Sequence, residues 1–350
     1  MIRIHKQFLG GNIRLIHHED RDYFLENELR DTTSDWFYFA FCVEGAGGKE
    51  LTFHMQKNRL GPWGPAVSHD LVHWHWLGSC SDDSFTYRFD ENENEVYFAH
   101  HMLYHPRRML RFAEKSEYVI GELCQSRKGR SVPFLTLGKG EKSILLTARH
   151  HACESTGSYV LEGVLRTLAR ILPEDYRIFC VPFVDYDGVV DGDQGKGRAP
   201  HDHNRDYGEE HLYPEVAAIC KYRETHTAVL GFDFHSPWHR GGENDTVFIV
   251  RNLAQKERLA DAFSALLASR ITKNSMHYQE RNDHPAGVGW NTGCAPNFAR
   301  TTCLCHDCLL ALTLETAYFG TENDRTSEDR LLALGEAFAL AIVDFTKAHA

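Results

Sequence analysis

The sequence predicts an α/β protein preceded by an antiparallel β-sandwich, and two patterns carry this prediction. Short segments that alternate aromatic or apolar with polar residues, separated by glycine- and proline-rich turns, lie at 35–41, 51–55, 85–89 and 95–99. This pattern is typical of antiparallel sandwiches. From about residue 104, apolar runs alternate with amphipathic helices, which indicates a mostly parallel sheet covered by helices. The 350 residues suit two domains, which we expect to cover 1–103 and 104–350.

The elements of the second domain are predicted from local periodicity. The apolar strand candidates are 143–149, 176–183, 227–233, 246–251 and 310–315. Helices are predicted after Glu154, where apolar residues recur every three or four positions, and over 253–269 and 329–347. The charged, glycine-rich segment 185–205 predicts a loop. Because open α/β sheets keep their binding groups on loops after strand ends, we expect functional residues there.

Composition disfavours several classes of function. The net charge of −11 argues against nucleic-acid binding, which needs a basic surface that displaces counterions. It also means that an acidic substrate requires a locally positive site. No apolar run approaches the length of a membrane span, so we expect a cytoplasmic protein that binds no membrane. The oligomeric state is left open.

The ten cysteines predict a reducing compartment and no disulfide framework, because several lie within apolar runs. Cys303, Cys305 and Cys308 are close in sequence but lack a partner pair at zinc-finger spacing. Structural zinc is therefore disfavoured there, and the sequence leaves open whether this cluster has a function.

Two apolar strands lead into residue types that bind cations of intermediate softness, such as zinc. His151 and Glu154 form an H-x-x-E motif directly after the strand 143–149, although a solvated helix start has the same appearance. His235 ends the strand that begins at 227, and as a third ligand it leaves one coordination position open, as in catalytic zinc sites. Asp233 either orients neighbouring groups or is an ordinary polar residue at a strand end.

Two further motifs suggest substrate binding and proton transfer. Asn204 and Arg205 lie in the predicted loop, where a guanidinium and an amide can hold a free carboxylate; the alternative is a surface arginine. Glu315 ends the apolar strand 310–315, where a carboxylate near an activated water can act as general base and then general acid. An ordinary capping glutamate is the alternative.

The order of these motifs (H-x-x-E, D-G, N-R, D-F-H and T-L-E) resembles that of the zinc metallocarboxypeptidases, specifically their cytosolic branch, and the resemblance covers nearly the whole chain. It implies a carboxypeptidase-like α/β/α sandwich with a mixed, largely parallel sheet. It also implies that His151, Glu154 and His235 bind one Zn²⁺ ion. Asn204 and Arg205 would anchor the substrate's C-terminal carboxylate, with Glu315 as general base and acid.

The resemblance implies two more functional arginines and contains two departures. Arg198 would polarise the scissile carbonyl, and Arg300 would sit at the base of the specificity pocket, where it suits an acidic C-terminal side chain. Ala152-Cys153 replaces the family's Pro-Gly, which places Cys153 beside the metal and predicts sensitivity to oxidation. The segment 236–239 replaces the family's Gly-His-Ser and changes one wall of the pocket.

The sequence therefore predicts a zinc metallocarboxypeptidase, a hydrolase that removes C-terminal glutamate or aspartate from peptides or protein tails. Whether it cleaves linear chains or branch points is left open. One alternative is a zinc-dependent amidase or deacylase that acts on N-acyl amino acids or cell-wall-derived peptides, suggested by the altered segment 236–239. The other is a non-catalytic binding protein that uses its aromatic sandwich to dock a partner.

Overall fold

Two facing β-sheets form the front of the molecule in the structure, a computed structural model that describes residues 1–349. Their strands are β1 (Arg3–His5), β2 (Arg14–Glu19), β3 (Asp22–Glu26), β4 (Ala40–Glu44), β5 (Glu50–Met55), β6 (Ala66–Ser68), β7 (His75–Trp76), β8 (Ser84–Arg88) and β9 (Glu95–Ala99). One sheet has the order β1-β4-β9-β6-β7 and the other β2-β3-β5-β8. Phe53 of the second sheet packs on Phe98 of the first at 5.5 Å between ring centroids, so the aromatic positions fill the space between the sheets.

The front sheets differ from the prediction in two details. β3 and β5 pair in parallel, because the chain crosses to β4 in the opposite sheet before it returns as β5 and is not restricted to a hairpin. The predicted strand 35–41 forms a ladder only from Ala40 onward. Trp36 and Phe37 before it are buried against the second part of the chain, where they pack on Trp238.

The remaining elements alternate between helices and strands. They are α1 (Pro106–Glu114), β10 (Val119–Gln125), β11 (Ser131–Leu137), β12 (Lys142–Ala148), α2 (Thr156–Ile171), β13 (Tyr176–Val181), α3 (Tyr186–Asp191), α4 (Pro214–Thr225), β14 (Thr227–His235), β15 (Phe248–Val250), α5 (Glu257–Arg270), α6 (Phe298–Cys303), β16 (Leu310–Glu315), β17 (Gly320–Thr321), β18 (Asp324–Arg325) and α7 (Glu328–Ala348). Short 3₁₀ turns lie at His203–Arg205, Gly242–Asp245 and Glu280–Asn282.

A seven-stranded mixed sheet of order β10-β11-β13-β12-β14-β16-β15 organises this part. Its four central strands are parallel, and antiparallel strands cover both edges. The five predicted strands and three predicted helices are present, which confirms the α/β prediction. The segment 185–205 is not all loop: Asp185 caps the short helix α3 by accepting a hydrogen bond from the Gly188 amide, a local signal that the glycine-rich composition obscured.

Helices cover both faces of the seven-stranded sheet. The helices α2, α5 and α7 pack on one face of the sheet, and α4 and α6 pack on the other. The helices α2 and α7 meet at Gly163 and Gly335, where an added Cβ would lie 2.2 Å from the Leu332 carbonyl and 2.1 Å from that of Val160. Only glycine permits this approach, which draws the two backbones together over the sheet.

The division at residues 103 and 104 remains a proposal. The front sheets use residues 3–99 and the large sheet 119–315, but Trp36 and Tyr38 contribute to the interior of the second part. Ala350, the last residue of the expected second domain, lies outside the described residues. Within residues 1–349, no helix is long and apolar enough to cross a membrane.

Candidate metal centre

The predicted motifs meet at the carboxyl ends of three adjacent parallel strands. β12 and β14 pair with Ala148 opposite Phe234, and β14 and β16 pair with His235 opposite Glu315. Because parallel neighbours end at the same sheet edge, residues 80 or more positions apart in sequence come together there. This edge is where open α/β sheets place their ligands.

The turn after β12 is held in place by Arg149. This residue has φ of +60°, a left-handed conformation that is uncommon outside glycine and clusters at functional sites. Its buried guanidinium donates to the Ala152 carbonyl from Nε at 2.8 Å and also from Nη2. These hydrogen bonds hold the turn closed, although Ala152-Cys153 stands where the family that the sequence resembles has Pro-Gly.

His151, Glu154 and His235 converge as a buried cluster. Glu154 lies between the two imidazoles, with Oε1 2.7 Å from His151 Nδ1 and Oε2 2.6 Å from His235 Nδ1. One ligand atom from each residue lies within 4.8 Å of the others, a spacing that one ion can bridge. Burial alone would raise the pKa of Glu154, but the charges of His151 and His235 hold it well below its ordinary value. The carboxylate is therefore ionised and ready to bind a cation.

Both histidines point their other ring nitrogen at a carboxylate. His235 Nε2 lies 2.6 Å from Asp233 Oδ2, and His151 Nε2 lies 3.6 Å from Asp202 Oδ1. For each imidazole in its neutral, metal-binding form, a proton on Nε2 leaves the Nδ1 lone pair free, which is the arrangement that orients metal-binding histidines. The position of Asp233 fits the orienting role considered from the sequence. Sequence reasoning missed Asp202, whose signal is its place two residues before Asn204.

A second grouping, His150, Asp233 and His235, also brings potential ligands together. We favour the first grouping because Asp233 is already occupied: Oδ1 accepts from Thr147 Oγ1 at 2.8 Å and pairs with His150 Nδ1 at 2.9 Å, while Oδ2 faces His235. The side chains of His150 and Asp233 are also fully buried, whereas a catalytic metal needs an open position for water.

Glu315 lies next to the cluster as a buried, partly unpaired carboxylate. Its strand position is opposite His235, it is only 8% exposed, and its Oε2 has no hydrogen-bond partner. Burial raises the pKa of Glu315 to about 7, which suits a group that must accept and release a proton near neutral pH.

Asn204, Arg205 and Arg300 lie on the segments that border the cluster. Asn204 Nδ2 is 3.3 Å from His235 Nε2, and its Oδ1 accepts from the Phe298 amide at the start of α6. Arg205 is exposed and donates from Nη1 to the Asn204 carbonyl. Arg300, in α6, has a buried Nε without a hydrogen-bond partner. Asn204 thus contacts the cluster directly, and the substrate-binding roles of all three residues stay predictions.

The contacts of Arg198 do not support its predicted role at a scissile carbonyl. Its guanidinium pairs with three carboxylates, those of Asp31, Asp185 and Asp193, at 2.9–3.2 Å. The physical reason is that the front sheets bring Asp31 to this loop, which local sequence could not indicate. Lys196, two residues earlier, is the cation at the cluster, with Nζ 3.5 Å from His151 Nδ1.

The structure shows the surroundings of Cys153 and of the cluster Cys303, Cys305 and Cys308. Cys153 is almost fully buried and accepts from Trp36 Nε1 at 3.3 Å. Burial raises the pKa of the Cys153 thiol to about 12, which argues against the predicted oxidation sensitivity. In the part of the chain that the structure describes, Cys303, Cys305 and Cys308 do not form a metal-sized grouping.

A buried carboxyl in the first turn of α4 leads to a prediction about stability. Burial raises the pKa of Glu215 to about 7 from 4.5, and its Oε2 has no hydrogen-bond partner. A raised carboxyl pKa favours the folded state below about pH 4.5, and this contribution is lost as pH rises toward 7. At about 1.4 kcal/mol per pKa unit, the ionised form costs up to roughly 3 kcal/mol.

Glu215→Gln should therefore raise the melting temperature more at pH 8 than at pH 5, as measured by scanning calorimetry. Equal shifts at both pH values would contradict the assignment.

Comparison with known proteins agrees with this architecture. No protein-family model matches the chain. An uncharacterised protein from Zymomonas mobilis is 27% identical over 312 residues, which cover 81% of each chain. Cytosolic carboxypeptidase 6 of Caenorhabditis elegans is 22% identical over 402 residues, covering 97% of this chain and 85% of the relative. The crystal structure of a metallo-carboxypeptidase from Burkholderia cenocepacia matches 100% of both chains with a TM-score of 0.83 at 21% identity. The fold is thus that of the metallocarboxypeptidases, and the sequence is similar to the cytosolic branch.

Proposed function

We propose that this protein is a zinc-dependent metallocarboxypeptidase that hydrolyses the C-terminal residue, glutamate or aspartate, of peptides or protein tails in the cytoplasm. The observation that carries the proposal is the meeting of His151, Glu154 and His235 beside Glu315 at one sheet edge. The fold similarity and the cytosolic carboxypeptidase relatives support the same reaction class.

The donor set fits a zinc ion. His151 and His235 offer Nδ1, Glu154 offers a carboxylate oxygen, and Asp202 and Asp233 stand behind the imidazoles. Two histidines and one glutamate are a known catalytic zinc set. When bound, zinc lowers the pKa of water and polarises carbonyl groups.

The chain's own residues supply proton transfer and substrate anchoring. Glu315 takes the proton of the attacking water and passes it to the leaving amine, which its pKa near neutrality permits. Asn204 and Arg205 anchor the terminal carboxylate of the substrate by an amide and a guanidinium. Arg300 pairs with an acidic C-terminal side chain. This cationic region provides the local attraction that a chain of net charge −11 needs for such a substrate.

The test is a panel of peptides that differ only in the last residue, together with metal analysis of the purified protein. We expect one zinc per chain and the highest kcat/KM for C-terminal glutamate or aspartate. Preferential hydrolysis of N-acyl amino acids would favour the amidase alternative instead. Protein that contains no zinc after expression in zinc-supplied medium, and cleaves no peptide, would favour a binding role.

Arg300→Ala tests the specificity assignment. The variant should raise KM for C-terminal glutamate by about tenfold or more, since a charge-assisted hydrogen bond contributes about 1.5–3 kcal/mol. KM for C-terminal leucine should change little. Arg14→Ala, which removes an exposed arginine from β2 in the front sheet, is the matched control. An unchanged preference for glutamate in Arg300→Ala would place the specificity pocket elsewhere.

A further inference from the structure

We propose that Lys196 is a catalytic residue whose ammonium group stabilises the negative charge that develops on the scissile carbonyl oxygen. This inference rests on the proposed function. It assigns to Lys196 the role that the family resemblance implied for Arg198, and it gives a purpose to residues 31–36, between β3 and β4, because they hold the Lys196 loop in place.

Lys196 is the cation closest to the ligand cluster. Its Nζ lies 3.5 Å from His151 Nδ1 and 4.0 Å from Glu154 Oε1. Within residues 1–349, no other lysine or arginine forms an ion pair with Glu154 or lies within hydrogen-bond distance of His151. The side chain is 32% exposed, so the ammonium is at the solvent-facing side of a buried cluster, where a substrate must enter.

The backbone around Lys196 sits directly on the ligand turn. Gly195 has φ of +77°, and a Cβ there would lie 2.0 Å from the Ala152 amide nitrogen. The loop and the turn that carries His151 are therefore in backbone contact, which only glycine permits. As a result, the Lys196 side chain begins only a few ångströms from the metal ligands and need not reach in from a distant surface.

A strap from the front part of the chain, residues 31–36, fixes the other side of this loop. Asp31 accepts from the backbone amides of Gln194 at 3.0 Å and Gly195 at 2.8 Å. Thr33 donates to the Gly197 carbonyl at 3.0 Å from its amide nitrogen. Trp36, the last residue of the strap, places its ring 5.9 Å from Lys196 Nζ, within range of a cation–π attraction.

Arg198 completes this arrangement as a positioning residue. Its Nε donates to Asp31 Oδ2 at 3.2 Å, and its Nη2 pairs with Asp185 and Asp193. The guanidinium thus links the strap to both ends of the segment 185–193. Three carboxylates compensate the charge of Arg198. Lys196 instead contacts one carboxylate, that of Glu154 at 4.0 Å, and Glu154 also pairs with two imidazoles.

The chemical role needs no bond to Lys196 itself. As hydroxide oxygen bonds to the carbonyl carbon, the C=O π electrons move to oxygen, and the new negative charge is attracted to the fixed ammonium. When the C–N bond breaks, the charge returns to the carbonyl and the amine takes a proton from Glu315. Preorganised charges of this kind act without solvent reorganisation, and removal of one oxyanion donor costs about 10²–10³ in kcat.

The experiment compares Lys196→Met with Lys142→Met, a removal of the same charge at the opposite end of β12. For zinc-loaded protein, kcat and KM are measured on a C-terminally acidic peptide, and zinc content is measured by metal analysis. Calorimetry measures the affinity for a phosphinic peptide, which mimics the tetrahedral transition state. We expect Lys196→Met to lose about 10²–10³ in kcat and at least tenfold in phosphinic peptide affinity, with zinc content and melting temperature unchanged. Lys196→Arg should recover part of the loss, and Lys142→Met should behave like wild type.

Each contrary outcome is distinct. Full kcat in Lys196→Met would overturn the assignment, and so would a loss of kcat without any loss of phosphinic peptide affinity. A lower zinc content or a lower melting temperature in both Lys196→Met and Lys196→Arg would make Lys196 a structural residue. A wild-type protein that cleaves no peptide of the panel would reject the proposed function before any variant is made.

Discussion

Replacement of Glu315 by glutamine is expected to lower kcat by about 10²–10⁴-fold, the usual cost of losing one positioned general base. The substitution keeps the size and polarity of a buried side chain that is opposite His235, so zinc and substrate should still bind. The measurement is kcat on a C-terminally acidic peptide, with zinc content determined on the same sample. Because the loss concerns proton transfer, KM should change far less than kcat.

The pH profile provides an independent check of the same group. Without metal, burial raises the pKa of Glu315 to about 7, and a divalent cation nearby lowers the pKa of a carboxyl. We therefore expect the wild-type rate to fall as pH drops, with an acid limb below about pH 7, because the base must be ionised to accept a proton. Glu315→Gln should lose that limb. Glu322→Gln, an exposed glutamate near β17, is the control and should keep rate and profile. A Glu315→Gln protein with bound zinc and full kcat would exclude the role.

Removal of zinc is expected to abolish measurable hydrolysis and to lower the melting temperature. A ligand that binds only the folded state stabilises it by about 4 kcal/mol at a thousand times its dissociation constant. The metal-free cluster also keeps ionised Glu154 and two histidines in a buried space. Dialysis against a chelator, followed by activity and calorimetry, measures both effects, and added zinc should restore both.

His151→Gln separates metal loss from chelator artefacts. It removes one ligand, so the variant should bind zinc weakly and behave like the chelated wild type. His306→Gln changes a histidine whose side chain is 97% exposed and should leave zinc content and rate unchanged. If the chelated protein retains both its rate and its melting temperature, the metal assignment for this cluster is wrong.

Much of the architecture could be predicted from local patterns. Apolar runs and helical periodicity identified the five strands and three helices, because burial imposes a period on each element. The strand predicted at 143–149 is observed at 142–148, and the helix predicted after Glu154 is observed at 156–171. The edge hairpin 119–137 was not predicted. Its first strand, β10, has no buried residue and exposes four of seven, so its pattern carries little of the apolar signal.

The candidate site was predicted only where motif and position agreed. His151, Glu154 and His235 stand at strand ends, and the structure brings them together. Asp202 escaped sequence reasoning although it lies two residues before Asn204, and Lys196 escaped it because nothing in its neighbourhood distinguishes it from other charged loop residues. The role of Arg198 was implied by the family resemblance, but its partner Asp31 lies 167 positions away, a distance over which sequence spacing carries no contact information.

The types of element, the ligand chemistry and the residues that bear it could be read from the amino-acid sequence, since they depend on local periodicity and on the identity of side chains. Which cation faces the cluster, which carboxylates stand behind the histidines and how residues 31–36 contribute became visible only in the folded chain. The physical reason is that sheet register and the approach of the strap 31–36 place charges within a few ångströms of each other, and at that range the strength of their interaction depends on distance and burial.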